Sequence, residues 1–327
     1  MKISVGLYPN QPADQLLRSG ELADRLGYDT LWVADSHLLW REVYGVLGAI
    51  AARTKRIKLA SAVTNVVTRH LTVTASAFCT LSELSNGRAI IGISVGDSAL
   101  ATMGLRPVTV DAFAKALGNL RLLINGDPVR IPEGEDARIA YAERTNIPIY
   151  VAATGPRMLR LAGQLADGVI LMNGIVPELV EAAVAIVHAG TREAGRNPDA
   201  VKIVVWAACH SRRGDPRTSL AAVKYNVARA ILRNIPGPID DLTRATAERV
   251  RSCYNYAQHG DARADFAQLI PDELVPRFAF AGTPEDVRAQ ISALEPIGVD
   301  EVALAIPSAP EFGSRDEVIE LLAPSHV

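Results

Sequence analysis

Apolar and polar positions follow two periods along this chain, one typical of short buried strands and one of amphipathic helices. The strand-like runs lie at residues 3–8, 30–34, 57–63, 89–93, 147–151, 168–172, 202–208 and 301–305. Helical patterns lie at residues 12–26, 42–53, 73–84, 156–165, 180–194, 284–294 and 317–322. Short apolar strands that alternate with helices predict parallel pairing with both faces of the sheet covered. An α/β fold, the closed (β/α)8 TIM barrel, fits eight units best, and an open doubly wound sheet is the alternative.

Two stretches exceed a minimal barrel. Residues 127–146 are polar and include an acidic run at 132–137, which predicts a solvated loop. Residues 213–277 follow the seventh strand and are mostly helical in composition, so we predict a helical insertion there. Insertions after barrel strands lie over the catalytic face, so this one is expected to form a lid or an oligomer contact. We predict a single domain over residues 1–327.

The composition restricts the class of protein. The chain carries a net charge of -2, and its Lys and Arg residues are scattered, so no nucleic-acid footprint is expected. Its 3 cysteines are odd in number and widely separated, which argues against a disulfide framework and a structural zinc site. No pattern of a secretion signal or a membrane span is found. We therefore expect a cytoplasmic protein that acts on a small molecule and holds no metal.

Barrel enzymes place their chemistry at the carboxyl ends of the strands, where this chain has polar and glycine residues. One such end reads Ala153, Thr154, Gly155, Pro156. Glycine permits close backbone approach, Thr154 can cap a helix, and proline favours the first helical position. The result is a helix amino terminus that can bind a phosphate, or else a capped barrel helix without a ligand. No P-loop, dinucleotide-binding glycine motif, nucleophile elbow or metal-spaced histidine pair is present.

Several runs resemble the bacterial luciferase-like superfamily, and more narrowly its deazaflavin-dependent branch typified by methylenetetrahydromethanopterin reductase. They are ASAVTNVVTRH at residues 60–70, LSELSNGR at 81–88, IGISVGDSA at 91–99, IYVAATGP at 149–156, ADGV at 166–169 and AGTPEDV at 281–287. The resemblance extends nearly from end to end. It implies the barrel fold, coenzyme F420 (an 8-hydroxy-5-deazaflavin) as the cofactor with FMN as the alternative, and a homodimer.

The same resemblance assigns site residues. It implies a non-prolyl cis peptide between Ala62 and Val63, whose bulge supports the coenzyme ring. It implies that Asn65 and Asp97 line the ring or ribityl region. The coenzyme phosphate is expected at Ala153, Thr154, Gly155 and Pro156.

The histidines and the first strand complete the expected site. His37 resembles a histidine that many relatives place near the reacting carbon, and it can serve as a general acid near neutral pH; a buried structural histidine is the other interpretation. His210 is a second candidate, whereas His188, His259 and His326 are expected on the surface or tail, and Arg69 and His70 in a structural or capping role. Where the methanopterin reductases carry an acidic residue near the end of the first strand, this chain has Gly6, which disfavours a methylene-pterin substrate.

The leading hypothesis is hydride transfer between a reduced deazaflavin and a small organic acceptor. A second hypothesis is an FMN-dependent monooxygenase on the same barrel, because a reduced flavin reacts with oxygen and a reduced deazaflavin does so poorly. A third is a flavin-binding relative without catalytic activity. In each case the coenzyme would carry the redox chemistry and the protein would orient it.

Overall fold

The computed structural model describes residues 1–130, 134–142 and 146–324. Eight parallel strands close into a barrel: Lys2–Leu7, Thr30–Val33, Lys58–Ser61, Ala89–Ser94, Ile149–Ala153, Gly168–Leu171, Lys202–Ser211 and Glu301–Ile306. Each strand pairs with the next, and the first pairs with the eighth, so that Val5 lies between Leu31 and Leu304. The predicted (β/α)8 TIM barrel is confirmed.

Helices surround the strands, and some of them border the open end of the barrel. They are α1 (Ala13–Leu26), α2 (Val43–Ala51), α3 (Leu71–Leu84), α4 (Ser98–Ala101), α5 (Val110–Ile124), α6 (Pro156–Leu165), α7 (Pro177–Glu193), α8 (Pro216–Ile231), α9 (Asp241–Cys253), α10 (Val275–Phe278), α11 (Pro284–Ser292) and α12 (Arg315–Leu321). Among the described helices, none is long and apolar enough to cross a bilayer. The helices predicted from the sequence are all present, with ends shifted by a few residues.

Helix α5 was not predicted, although its sequence carries the signals of a helix. Phe113, Leu117, Leu120 and Ile124 recur at helical spacing and are buried. Thr109 caps the helix, because its side chain accepts a hydrogen bond from the amide of Ala112. The following segment, predicted as a solvated loop, is exposed at residues 134–136 and forms a short antiparallel ribbon between Val129–Arg130 and Asp136–Ala137. Pro132 and Glu133 of the acidic run lie outside the described residues.

The third strand is interrupted where one continuous strand was predicted. It runs over Lys58–Ser61 and resumes at Thr64–Asn65, which pairs with the end of the fourth strand. The peptide bond between Ala62 and Val63 in the interruption is cis, at the position that the resemblance implied. Gly92 makes the close approach to the fourth strand possible, because a Cβ atom there would collide with the carbonyl oxygen of Ser61.

The barrel interior is filled at its amino-terminal end and open at its carboxyl end. Trp32 is fully buried and donates from Nε1 to Oε1 of Glu301 at 2.7 Å. Higher in the barrel, Trp206 packs over Gly6, where a Cβ atom would lie 2.5 Å from Cη2 of the indole ring and 2.9 Å from Cα of Ala305. Alanine residues and the larger side chains of Ile90, Ile170 and Val204 pack around both rings. A ligand can therefore enter only from the carboxyl end.

The predicted insertion after the seventh strand is helical and holds α8, α9 and α10. Its apolar cluster, which includes Val223, Phe266 and Phe278, continues onto Leu179 of α7 and Ala208 of the seventh strand. A short strand, Phe280–Gly282, then pairs in parallel with the end of the seventh strand and returns the chain to the barrel. The insertion is thus a packed unit anchored beside the open end of the barrel.

Candidate active site

A cavity of about 440 Å³ opens at the carboxyl ends of the strands. That volume is typical of small-molecule sites in proteins. Its apolar part is formed by strand-end residues: Ala34, Ala62, Val63, Ala152, Ala153, Met172, Trp206, Ala207 and Ala208. Its polar part includes Asp35, Ser36, Asn65, Asp97 and Thr154 from the barrel and Asn226, Arg229, Arg233, Tyr256 and His259 from the insertion. An apolar floor and a charged wall therefore face each other.

Six of the nine residues proposed from the resemblance line this cavity: Ala62, Val63, Asn65, Asp97, Ala153 and Thr154. Gly155 and Pro156 follow directly at the start of α6 but do not line it. His37, the proposed catalytic histidine, does not line it either, and its Nδ1 is buried without a hydrogen-bond partner among the described residues. The structure brings the coenzyme-binding candidates together and leaves the proposed proton donor outside.

Asn65 has a structural task as well as a place at the cavity. Its Oδ1 accepts from the amides of Val67 and Thr68 at 2.9 and 2.8 Å, and its Nδ2 donates to Oγ1 of Thr68 at 3.1 Å. Such a turn, in which a side chain replaces a backbone acceptor, fixes the loop after the third strand. Asn65 is 2% exposed, so it holds the cavity rim in place.

The amino terminus of α6 has the arrangement expected of an anion site, with one difference from the prediction. Gly155 is the N-cap and Pro156 the first helical residue, whereas Thr154 does not cap the helix. The carbonyl of Thr154 instead accepts from Nδ2 of Asn173 at 2.9 Å. No side chain within the described ranges caps this terminus, so the first amides after Pro156 remain available.

An ion pair joins the end of the fourth strand to the insertion. Arg229 donates to Oδ2 of Asp97 at 2.6 Å, and the hydroxyl of Tyr256 donates to Oδ1 at 2.9 Å. Burial by itself would raise the pKa of Asp97, but the charges of Arg229 and Arg233 outweigh it and lower the pKa. Asp97 is therefore a carboxylate at neutral pH, and it fixes the insertion across the cavity.

His259 was expected on the surface, and that prediction was wrong. It lines the cavity, its Nδ1 lies 2.7 Å from the hydroxyl of Tyr254, and its ring packs 5.8 Å from that of Trp40. Burial lowers the pKa of His259 to about 4; Arg229 and Arg233 also lower it, and Asp97 opposes them. The imidazole is therefore neutral at pH 7.

A second ion pair joins Asp35 of the cavity to Arg69. Arg69 binds Asp35 through both carboxylate oxygens, at 2.6 and 3.2 Å, and its guanidinium lies 4.6 Å from the centre of the Tyr44 ring. His70 caps α3 by accepting from the amide of Thr72. The structural and capping roles predicted for Arg69 and His70 are confirmed, and Asp35 is already neutralised by its partner.

The other histidines lie apart from the cavity. Both ring nitrogens of His210 are within hydrogen-bond distance of protein oxygens, Oγ of Ser219 at 3.3 Å and the carbonyl of Phe312 at 3.2 Å. His210 is buried and does not line the cavity, which matches a structural residue. His188 is half-buried on α7, and His326 lies outside the described residues.

The comparisons with known proteins agree with the fold and the strand-end motifs. The family model described as luciferase-like monooxygenase matches residues 1–301. A 5,10-methylenetetrahydromethanopterin reductase of Methanolobus tindarius is 31% identical over 331 residues, covering 98% of each chain. An F420-dependent glucose-6-phosphate dehydrogenase of Microbacterium testaceum is 32% identical over 58% of this chain and 61% of that protein.

Comparison with solved structures also finds an F420-dependent reductase. The coenzyme F420-dependent tetrahydromethanopterin reductase of Methanopyrus kandleri matches with a TM-score of 0.79 and 27% identity, covering 99% of this chain and 98% of that one. The chain belongs to the luciferase-like monooxygenase family. Its resemblance to the deazaflavin-dependent branch of that family is confirmed as well.

Sequence reasoning missed the residues that the insertion contributes: Asn226, Arg229, Arg233, Tyr256 and His259. Arg229 and Arg233 stand one helical turn apart in the sequence, which could have indicated a shared face. Nothing in the sequence pairs them with Asp97, 132 residues away, because that contact depends on how the insertion folds back.

Proposed function

We propose that this chain transfers a hydride between coenzyme F420 and a small organic substrate in the cavity at the carboxyl ends of its strands. The chain is an enzyme, an oxidoreductase of the luciferase-like family, and its relatives are F420-dependent reductases and dehydrogenases. The observation that carries the proposal is the cavity itself, in which an apolar floor faces a charged wall.

The residues present fit a tricyclic ring with a phosphate-bearing tail. Ala62, Val63, Ala152 and Met172 offer small and flexible apolar surface on which a flat ring can lie. The uncapped start of α6 offers amides to a phosphate beside Thr154. When bound there, the coenzyme would supply or accept the hydride, while the protein orients it against the substrate.

Tyr8 is positioned to hold a substrate oxygen. Its hydroxyl accepts from Nδ2 of Asn226 at 3.2 Å, so its own proton is available to a ligand in the cavity. Burial raises the pKa of Tyr8 to about 12, although Arg233 opposes the shift. Tyr8 therefore stays protonated and can donate to a carbonyl oxygen as negative charge develops on it. We retain His37 as a proposed catalytic residue, although it does not line the cavity.

We further propose that the substrate is not a methylene-pterin. Gly6 stands where the resemblance expects an acidic residue, and the indole ring of Trp206 takes up the space above it. No acid can act at that position without displacing the ring. Small ketones, enones and imines are the compounds to test.

A titration with coenzyme F420 and with FMN, followed by a hydride-transfer assay, tests the function. We expect F420 to bind more tightly and its reduced form to be oxidised by one of the small acceptors. Tight binding of FMN without binding of F420 would contradict the proposal. Full F420 binding without turnover of any acceptor would favour a relative that only binds the coenzyme.

We also propose that the chain is one domain, works as a homodimer and resides in the cytoplasm. The insertion packs against the barrel through α8, which supports a single domain. Cys209 and Cys253 are thiols, as expected in a reducing compartment. The dimer rests on the family resemblance, and light scattering of the purified protein would test it.

A further inference from the structure

Arg233 carries a charge that the protein does not balance. It lines the cavity, yet no acceptor for its guanidinium is found within residues 1–130, 134–142 and 146–324. Its backbone amide bonds to the carbonyl of Ala230, which turns the chain at the end of α8 and places Arg233 next to the cavity. Arg233 is only partly exposed, so its guanidinium donors are available to a ligand in the cavity.

The pairing of the carboxylates in the cavity gives the same result. Two carboxylates line it, Asp35 and Asp97. Asp35 is bound in two places by Arg69, and Asp97 by Arg229. His259 is neutral at pH 7 because its pKa is about 4, and Tyr8 and Tyr256 are protonated because burial raises their pKa. Both carboxylates therefore already have an arginine partner, and Arg233 is left without one among the described residues.

The pKa of Arg233 agrees with the lack of an anionic partner in the described part of the chain. Its pKa is lowered to about 10, chiefly by burial and then by the like charge of Arg229. Arg229 is itself incompletely bonded, because its Nε is buried without a partner in the described structure. The two guanidinium groups thus leave donors unused on the same side of the cavity.

We propose that Arg233, assisted by Arg229, forms a subsite that binds an oxyanion, a phosphate or a carboxylate, inside the cavity. The planar guanidinium fork matches both groups and can bond two of their oxygens at once. Assigning the subsite to a redox ligand rests on the proposed function; binding of an oxyanion by itself does not.

Two sources can supply the oxyanion. Asn234, the residue after Arg233, lies against Gly155 at the start of α6, so the phosphate of the coenzyme is within reach of this segment. Arg233 also lies near Tyr8, the proposed holder of a substrate oxygen, as their mutual effect on pKa shows. A substrate with a carboxylate or a phosphate would then have its carbonyl and its anion bound on one side of the cavity.

The first experiment measures binding of inorganic phosphate by calorimetry to the full chain and to the variants Arg233→Gln, Arg233→Lys and Arg251→Gln. Arg251 is exposed on α9 and does not line the cavity. Its substitution therefore removes one positive charge from the insertion without changing the proposed subsite. We expect Arg233→Gln to weaken binding about tenfold or more, Arg233→Lys to weaken it less, and Arg251→Gln to leave it unchanged. Equal phosphate affinity in all four proteins would overturn the subsite.

The second experiment distinguishes the sources. Fluorescence titration compares coenzyme F420 with its phosphate-free 8-hydroxy-5-deazariboflavin core, and turnover compares pyruvate with acetone and glucose 6-phosphate with glucose. If Arg233→Gln weakens only the full coenzyme, the subsite holds the coenzyme phosphate. If it removes a preference for the charged substrate and leaves coenzyme affinity intact, the subsite holds the substrate.

These results separate the two proposals. Phosphate binding that depends on Arg233, without any F420 binding, would sustain the subsite and contradict the proposed redox function. F420 binding and turnover that are insensitive to Arg233, together with equal phosphate affinity, would contradict the subsite alone. Melting curves of each variant show whether the fold is retained.

Discussion

Each end of the barrel interior holds a carboxyl group, and the surroundings shift its pKa in opposite directions at the two ends. At the closed end Glu301 is 5% exposed and receives a hydrogen bond from the neutral indole of Trp32. Burial raises the pKa of Glu301, although hydrogen bonds from Ser4 and Trp32 oppose it. At the open end the side chain of Asp97 is 41% exposed and is bound by Arg229, so its pKa is lowered.

This difference distinguishes residues that pack the closed end of the barrel from residues that can bind a ligand at the open end. The closed end uses neutral donors and large rings, so its carboxylate is best tolerated when protonated. The open end uses ionised partners around a cavity, where charge remains available to a ligand. We therefore expect substitutions at the closed end to change stability, and substitutions at the open end to change binding and local motion.

The largest effect is expected from Trp32→Ala at the closed end. The change leaves a void beside Glu301 and removes its indole donor, so the free energy of unfolding should fall by about 3–5 kcal/mol. Urea denaturation measures it. Leu242→Ala on α9 is the control, because this side chain is 46% exposed and its loss should cost less than about 0.5 kcal/mol. An equal loss of unfolding free energy in the two variants would contradict the conclusion that Trp32 fills the closed end of the barrel.

A smaller effect is expected from Tyr256→Phe at the open end. It removes one hydrogen bond to Asp97 while Arg229 stays in place, so residues 254–260 should open about fivefold to tenfold more often. Amide hydrogen exchange of this segment measures the change. Global stability should shift by less than about 1 kcal/mol.

Tyr141→Phe provides the matched control for this measurement. Its hydroxyl bonds to Ser76 on α3, and neither residue lines the cavity. It should leave exchange in residues 254–260 unaltered. If both tyrosine variants behave alike, Tyr256 does not tie the insertion to the fourth strand.

The smallest effect is expected from Glu301→Gln, and it depends on pH. A raised pKa means that the folded state holds the proton more tightly, so the parent is most stable below the ordinary glutamate pKa of 4.5 and loses stability as pH rises through the folded value. The variant lacks this loss. Its stability relative to the parent should rise between pH 4.5 and pH 7.5, by about 1 kcal/mol or less. A difference that is constant across this range would show that Glu301 does not titrate.

The barrel was predictable because its strands and helices are periodic and local. All eight strands and the strand-end location of the site follow from such patterns. The Ala62–Val63 position came from the family resemblance, because the pattern alone predicted one continuous strand there. Helix α5 was missed despite its period and its Thr109 cap, so that error lay in the interpretation. The charged wall was not predictable, because Tyr256 and His259 lie in and beside a short 3-10 turn without periodicity.

The insertion contributes part of the charged wall, and its apolar cluster around Val223, Phe266 and Phe278 continues onto α7 and the seventh strand. A segment that shares its interior with the barrel cannot be exchanged as a separate module without exposing Leu179 and Ala208. Changes of specificity in this chain are therefore expected from single side chains of the charged wall rather than from replacement of the whole insertion.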